Sequence, residues 1–235
     1  MNKIEWDKTG EHLFETGVSK GVLYTMGESN KYNNGVAWNG LTSISESPEG
    51  AETTALYADN IKYLNLISAE DYKGTIEAYT YPDEFYACDG SAEMVPGITI
   101  GQQARNKFGI CYRTELGSDA KNELGYKLHI IYNCSASPSE RQYETVNDSP
   151  EAITFSWEFS TTPVNVEGHK PSATVVIDST KLEKAKLDLL EAVLYGTDND
   201  DTITAIKAKL TDFDGKPTLL LPDQIVALVS TKANA

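Results

Sequence analysis

The sequence predicts a mainly β protein, a sandwich or partial barrel with one late flanking helix. Two observations carry this. Several segments between residues 75 and 160 alternate apolar and polar side chains with period two, the pattern of half-buried strands. Only one stretch, at about 180–195, changes to a helical period, and no strand–helix–strand alternation occurs, so a doubly wound parallel sheet is disfavoured.

Residues 1–35 are rich in Gly, Asn and charge and show little periodicity, so they read as an extended arm with one short strand at Val22–Tyr24. The turn residues Asn33-Asn34-Gly35 lead into a strand from Val36 to Ile44. Ser45 to Ala55 is polar, with one Pro and one Gly, and reads as a long loop of the kind that carries function. Ile61 to Ile67 is a short apolar run. Ser68-Ala69-Glu70-Asp71 after it resembles a capped helical turn. Thr75 to Tyr81 puts Ile76 and Ala78 on one face and Thr75, Glu77 and Tyr79 on the other. Residues 82–105 read as irregular, with turn signals at Asp89-Gly90 and Pro96-Gly97.

Phe108, Ile110 and Tyr112 share one strand face; Tyr126, Leu128, Ile130 and Tyr132 share another. The two runs read as an antiparallel hairpin. Ile153, Phe155, Trp157 and Phe159 alternate with Thr154, Ser156, Glu158 and Ser160, giving a strand with one dry and one wet face. Ala173 to Ile177 is a further strand. Thr180-Lys181-Leu182-Glu183 has the form of a capping box. Leu182, Ala185, Leu189 and Val193 follow at helical spacing, with Gly196 at the C-terminal cap. Beyond an acidic loop, Thr197 to Asp201, the sequence predicts strands at Ile203–Leu210 and Thr218–Leu221. Pro222–Val229 is left as strand or helical turn. The domain organisation expected is an arm (1–35), a β domain with its helix (36–197), and a C-terminal extension (198–235) packed on the same domain.

The chain has 20 Lys+Arg against 35 Asp+Glu, a net charge of −15. Stable binding to nucleic acid rests on Lys and Arg displacing counterions, and no basic run exists to do this. An anionic membrane surface would repel the chain. The three cysteines, Cys88, Cys111 and Cys134, form no CxxC pair and read as reduced core thiols in a reducing compartment. The N-terminal MNKIEWDKTG has no apolar core of a signal peptide, and no stretch reaches the ~20 apolar residues that span a bilayer. Asn133-Cys134-Ser135 and Asn147-Asp148-Ser149 match the glycosylation pattern by chance.

No catalytic or metal motif is found. His12, His129 and His169 have no partner at ligand spacing, and alternation turns His129 away from Tyr126, Leu128 and Ile130, toward solvent or an interface. Asp198–Asp201 lacks the glycine and the terminal glutamate of an EF-hand loop. No cofactor and no enzymatic activity are expected.

Several segments together carry a resemblance. They are Trp6-Asp7-Lys8-Thr9-Gly10, Gly35-Val36-Ala37-Trp38-Asn39-Gly40-Leu41, Tyr57-Ala58-Asp59-Asn60-Ile61-Lys62-Tyr63 and Glu77-Ala78-Tyr79-Thr80-Tyr81-Pro82-Asp83-Glu84-Phe85. Ile100-Gly101-Gln102-Gln103, Phe108-Gly109-Ile110-Cys111-Tyr112-Arg113, Asn147-Asp148-Ser149-Pro150-Glu151-Ala152-Ile153-Thr154-Phe155-Ser156-Trp157-Glu158 and Leu194-Tyr195-Gly196-Thr197 continue it. In this order they resemble the major tail proteins of long-tailed phages and prophages of Gram-positive bacteria. Leu221-Pro222-Asp223-Gln224-Ile225 is similar to the family's usual ending, and 198–216 looks like a longer connection.

The resemblance implies a tail-tube β-sandwich with a flanking helix, forming hexameric rings that stack into a tube for DNA ejection. It implies a virion tail protein assembled in the host cytoplasm. Its partners would be copies of itself, the tape measure protein, and tail terminator and baseplate proteins, with DNA passing through unbound. Glu46, Ser47, Pro48, Glu49 and Gly50 are the expected inter-ring contacts, and Glu77 and Glu158 the expected acidic lining of the lumen. The competing reading is a non-catalytic β-sandwich binding module of a baseplate or adhesin, which would present exposed loop aromatics such as Tyr79, Tyr81, Phe85 and Tyr86.

Overall fold

The computed structural model describes residues 4–27, 29–143, 145 and 152–230. The Asn147–Glu151 part of the family-like segment, with its glycosylation pattern, lies outside the described residues. The strands are β1 (Leu13–Thr25), β2 (Val36–Trp38), β3 (Leu41–Glu46), β4 (Glu49–Gly50), β5 (Thr53–Ala58), β6 (Ile61–Ile67), β7 (Glu70–Asp71) and β8 (Lys73–Ala78). They continue as β9 (Ala92–Val95), β10 (Ile98–Ile100), β11 (Phe108–Ser118), β12 (Gly125–Ala136), β13 (Phe155–Ser160) and β14 (Thr174–Asp178). The helices are α1 (Tyr86–Asp89), α2 (Lys184–Tyr195), α3 (Asp200–Lys207) and α4 (Pro222–Val229). The chain is mainly β and antiparallel throughout.

One folded-over sheet organises the molecule. Its strands run in the order β2-β1-β11-β12-β13-β8-β3, and β14 also pairs with β12. The length of β12 explains the fold. Residues 127–131 pair with β14, while Ser135 and Ala136 pair with β13. A strand longer than either partner hands the ladder from one layer to the next, so the sheet turns back on itself as a partial barrel.

Alternation along β11 and β12 then divides two cores. Cys111, Leu128, Ile130 and Tyr132 point toward α2 and α4; Phe108, Ile110, Tyr112 and Ile131 point toward β3, β8 and β13. The first core is a helix-on-sheet layer. Tyr24 and Tyr132 are fully buried there and donate their hydroxyls to the carbonyls of Leu194 (2.5 Å) and Leu220 (2.8 Å). Each thereby satisfies an otherwise costly buried polar tip. The second core is aromatic. Trp38, Phe85 and Trp157 meet with ring centres 4.7–5.7 Å apart, tilted or edge-on, the geometry that ring quadrupoles favour.

The structure corrects several expectations. The segment read as an arm contains β1, thirteen residues long, whose Val22–Tyr24 portion lies between β2 and β11. Its pattern was hidden by register shifts around Ser19, where Gly17 (φ +73) and Lys20 (φ +50) take the left-handed conformation. The capping box does not form. Thr180 spends its hydroxyl on Asp178 (2.6 Å), Glu183 pairs with Lys186, and α2 begins at Lys184 with Leu187, Leu190, Val193 and Leu194 buried.

Ile203–Leu210 is not a strand. Asn199 caps α3 by accepting from the Thr202 amide (2.9 Å), and Asp200 and Asp201 sit in the first turn, where the helix dipole favours them. Thr218–Leu221 forms no strand, and Pro222–Val229 is helical. A chain expected to carry one helix therefore carries three packed on the sheet. Residues 82–105, read as irregular, contain α1 and the β9–β10 hairpin, with Gly90 (φ +86) ending the helix and Gly97 (φ +86) in the hairpin turn.

Candidate assembly surface

Between β3 and β8 the chain leaves the sandwich. Ser45–Ala55, expected to be a loop, instead forms the outgoing leg of a two-stranded arm. Glu49 and Gly50 pair with Asp71 and Glu70, then Thr53–Ala58 pairs with Ile61–Ile67. Ser68–Asp71, expected as a helical turn, belongs to the returning leg. The tip is a two-residue turn, Asp59-Asn60, with both residues at positive φ (50° and 65°). That is the condition for a primed turn, whose twist matches the flanking strands, and Asp and Asn tolerate it best after Gly. At about 3.3 Å per residue, the legs project the tip roughly 35–40 Å from β3.

The arm has almost no interior. Tyr57, Ile61, Tyr63 and Ile67 are each about two-thirds exposed (64–72%), and Leu66 is 54% exposed. The register sorts the side chains. Leu56 faces Leu64 and Thr54 faces Leu66, so these share a face with Ala58 and Ile61. Tyr57, Lys62, Tyr63 and Asn65 belong to the opposite side. One face is therefore mainly aliphatic, and the other, which Ile67 joins opposite Thr53, is mainly tyrosine-rich and polar. Two-stranded hairpins are marginal in water on their own. Burying each Leu or Ile contributes about 1.5–3 kcal/mol, so the arm has a strong drive to be covered.

The arm is rooted in a charged cluster. His129 stacks on Tyr112 with ring centres 4.7 Å apart, and its Nε2 lies 2.9 Å from Thr114 Oγ1 and 3.3 Å from Glu15. Its Nδ1 lies 3.6 Å from Glu46, which also accepts from the Tyr112 hydroxyl. At 3.6 Å the His129–Glu46 contact is an ion-pair approach rather than a hydrogen bond. His129 faces away from Tyr126, Leu128 and Ile130 as alternation implied, and of the two surroundings expected, solvent or an interface, it is not in solvent, since its side chain is only 12% exposed.

The His129 imidazole and the Tyr112 phenol outweigh burial and hold the Glu46 carboxyl down to about 2. A depressed carboxylate contributes stability above its unfolded value of 4.5 and loses it as pH falls toward 2. With half of the group screened by solvent, the effect is about 1–2 kcal/mol. Glu46→Gln should therefore flatten the fall in Tm across that window in thermal melts. Parallel Tm curves for variant and wild type would refute the assignment.

The five expected contact residues lie at the root of the arm, away from its tip. Glu46 is committed to the cluster, the Ser47 amide donates to Lys73 O, Glu49 pairs with Lys73 (2.6 Å), and Gly50 takes φ +91 against Glu70. Pro48 is exposed beside them. The sequence reading missed Leu56, Leu64 and Leu66. Their signal was present, since two β-prone runs separated by the two residues Asp59-Asn60 define a hairpin.

Glu77 and Glu158 share a different surface. On the outer face of β8 and β13, Glu77 lies opposite Ser43 and Ser156, and Glu158 opposite Thr75. Ser43 donates to Glu77 (2.8 Å), and Glu158 is exposed. This face is hydroxyl-rich and acidic, with Lys73 at its edge already paired to Glu49.

The loop aromatics of the binding-module reading turn inward instead. Phe85 is fully buried, and Tyr81 packs edge-on against Phe85, Phe155 and Trp157. Only Tyr79 of the larger rings there is mostly exposed (54%). The three cysteines are buried and free, and burial pushes the Cys88 and Cys111 thiols up to about 12, so they remain protonated. No group of metal ligands is found among the described residues, and no helix there is long and apolar enough to cross a membrane.

Fold and surface together define a mainly β sandwich with a long, unpartnered apolar arm. No family model matches the sequence, and no characterised protein matches it in sequence. Among solved structures, the chain is similar to a component of the PVC sheath–tube complex of an extracellular contractile injection system in the extended state. Identity there is 11%, the match covers 68% of this chain and 88% of that one, and the TM-score is 0.30. It is also similar to a PVC sheath/tube terminator of such a system, at 11% identity over 74% of this chain and 99% of that one, with a TM-score of 0.28. Likeness this remote carries no argument, and the reading below rests on the chain's own features.

Proposed function

We propose that this chain is a structural subunit of a phage tail tube. Copies associate through sheet edges into hexameric rings, and the rings stack into a conduit for DNA. The observation that carries the reading is the arm Thr53–Ile67, which exposes aliphatic side chains that none of the described residues covers.

The sheet ends support the reading. Among the described residues β2, of three residues, and β3 each have a neighbour on one side only, and β14 pairs only with β12. Open edges invite pairing with another chain, and a closed ring removes them. The Glu77/Glu158 face suits a lumen. An acidic wall repels phosphates at distances within a Debye length of about 8 Å, where a basic wall would bind them. In this reading the protein belongs to the virion tail and is assembled in the host cytoplasm. A tape measure protein within the tube and terminator and baseplate proteins at its ends are its further partners. The inward-turned aromatics disfavour the binding-module alternative.

Negative-stain imaging of the purified, concentrated protein tests the proposal. Rings or tubes with a central channel are expected. A population that remains monomeric at high concentration would overturn it.

A further inference from the structure

The arm needs an acceptor, and the same molecule carries a groove that fits it. The groove, of about 600 Å³, lies where β1, β2 and the β2–β3 turn meet, and Val18, Ala37, Trp38, Leu41 and Pro217 give it an apolar lining. It lies beside the irregular part of β1, where Lys20 takes φ +50 and the register with β11 shifts. Close packing allows nothing larger at Gly21, where a Cβ would stand 2.2 Å from Leu41.

We propose that this groove is the socket for the Asp59-Asn60 tip of the arm of a second copy. This rests on the tube reading above and names the acceptor within it. Three observations converge. Chemistry is the first, since an apolar groove matches an arm whose exposed side chains near the tip include Leu56 and Ile61. Charge is the second. The one charged residue lining the groove is Lys20, whose ammonium lies 5.8 Å from the Tyr195 ring centre and has no carboxylate partner among the described residues. Asp59 at the tip likewise pairs with no cation of its own chain among the described residues.

Placement is the third observation and decides between modes of association. The arm leaves β3 at Glu46 and the groove lies at Leu41, so plug and socket occupy opposite ends of one strand. Opposite ends make the contact head-to-tail. Each copy offers a free plug on one side and a free socket on the other, and such a contact propagates along an axis wherever its rotation does not close a ring. A plug and socket at the same end would instead close on themselves as a two-fold dimer.

A charge swap and an engineered cross-link test this. Lys20→Glu should leave folded rings while shortening tubes by roughly tenfold or more, as expected for ~1.4 kcal/mol lost at the contact. Lys20→Glu combined with Asp59→Lys should restore long tubes. Mixing an Asp59→Cys preparation with a Lys20→Cys preparation under mild oxidant should give an intermolecular disulfide between the two variants. The native cysteines are buried and do not compete. Wild-type-length tubes from Lys20→Glu, no rescue in the double variant, or no mixed disulfide would overturn the socket. With wild-type tubes present, any of these refutes the groove and leaves the tube reading intact; wild-type protein that forms no tubes refutes both.

Discussion

Replacing Glu52–Ser68 with a two-glycine link is expected to abolish tubes while leaving a folded, soluble protein. The cut is set by the geometry of the root. The Ala51 amide donates to Ala69 O (3.4 Å), so the ends to be joined already lie side by side. Glu46 and Glu49, with their partners His129, Tyr112 and Lys73, remain. A deletion of Glu46–Thr54, the span the sequence marks as a loop, would be a poorer experiment. It would remove Glu46 from its cluster and β4, with the Glu49–Lys73 pair, from the root of the arm, confounding assembly with stability.

The trimmed variant loses Leu56, Ile61, Leu64 and Leu66, whose burial contributes about 1.5–3 kcal/mol each in a packed contact. Because these side chains are exposed in the isolated subunit, their removal should change its Tm by only a few degrees. The expected result is wild-type circular dichroism, rings in negative stain, and no pelletable tubes. Tubes of ordinary length from this variant would show that stacking runs through another surface.

The sequence made the interior of the protein legible better than its surface. Trp157–Phe159 alternates because one side of its strand meets a core, and Phe108–Tyr112 and Tyr126–Tyr132 are apolar because each side of their strands meets one of two cores within the same chain. Burial imposes the period, so the period reveals burial. The arm has no such constraint. Its side chains answer to a surface that its own chain does not supply, and Ser45–Ala55 therefore reads as polar loop.

Local chemistry misled in two further places. Thr180 has the right spacing for a cap, but Asp178, two residues earlier, captures its hydroxyl. Ile203, Ile206 and Leu210 recur at helical spacing, and Ile206 is fully buried, yet a β-branched run suggested a strand. The Asn199 cap and the acids after it were the stronger signal. The groove was not legible at all. It lies beside a positive φ at Lys20 and brings together residues of β1, β2 and the Pro217 segment, and neither leaves a period in the sequence.

If the proposed tube reading holds, reversing charge on the outer face of β8 and β13 should turn a conduit that releases DNA into one that holds it. Among the described residues no side chain hydrogen-bonds the exposed Glu158 carboxylate and only Ser43 hydrogen-bonds that of Glu77, so both tolerate replacement. Their neighbours Thr75, Ser43 and Ser156 are small and bring no charge of their own. Glu77→Lys with Glu158→Lys therefore changes the sign of this face while leaving the Trp157 and Phe159 core beneath it untouched.

Each phosphate neutralised by a lysine adds about 0.9 to the slope of log affinity against log salt. A face that offers two lysines per subunit should thus convert negligible retention into binding that falls steeply between low and moderate salt. Tubes of the double variant, incubated with short duplex DNA and pelleted, are expected to carry it down at low salt and release it as salt rises. Wild-type tubes should carry none at any salt. If the reversed face lay on the outside of the tube, long DNA would decorate the exterior in negative stain and the channel would stay empty. That outcome would displace Glu77 and Glu158 from the lumen while leaving the tube itself in place. Retention equal to wild type would show that the face is buried between subunits and meets no DNA on either side.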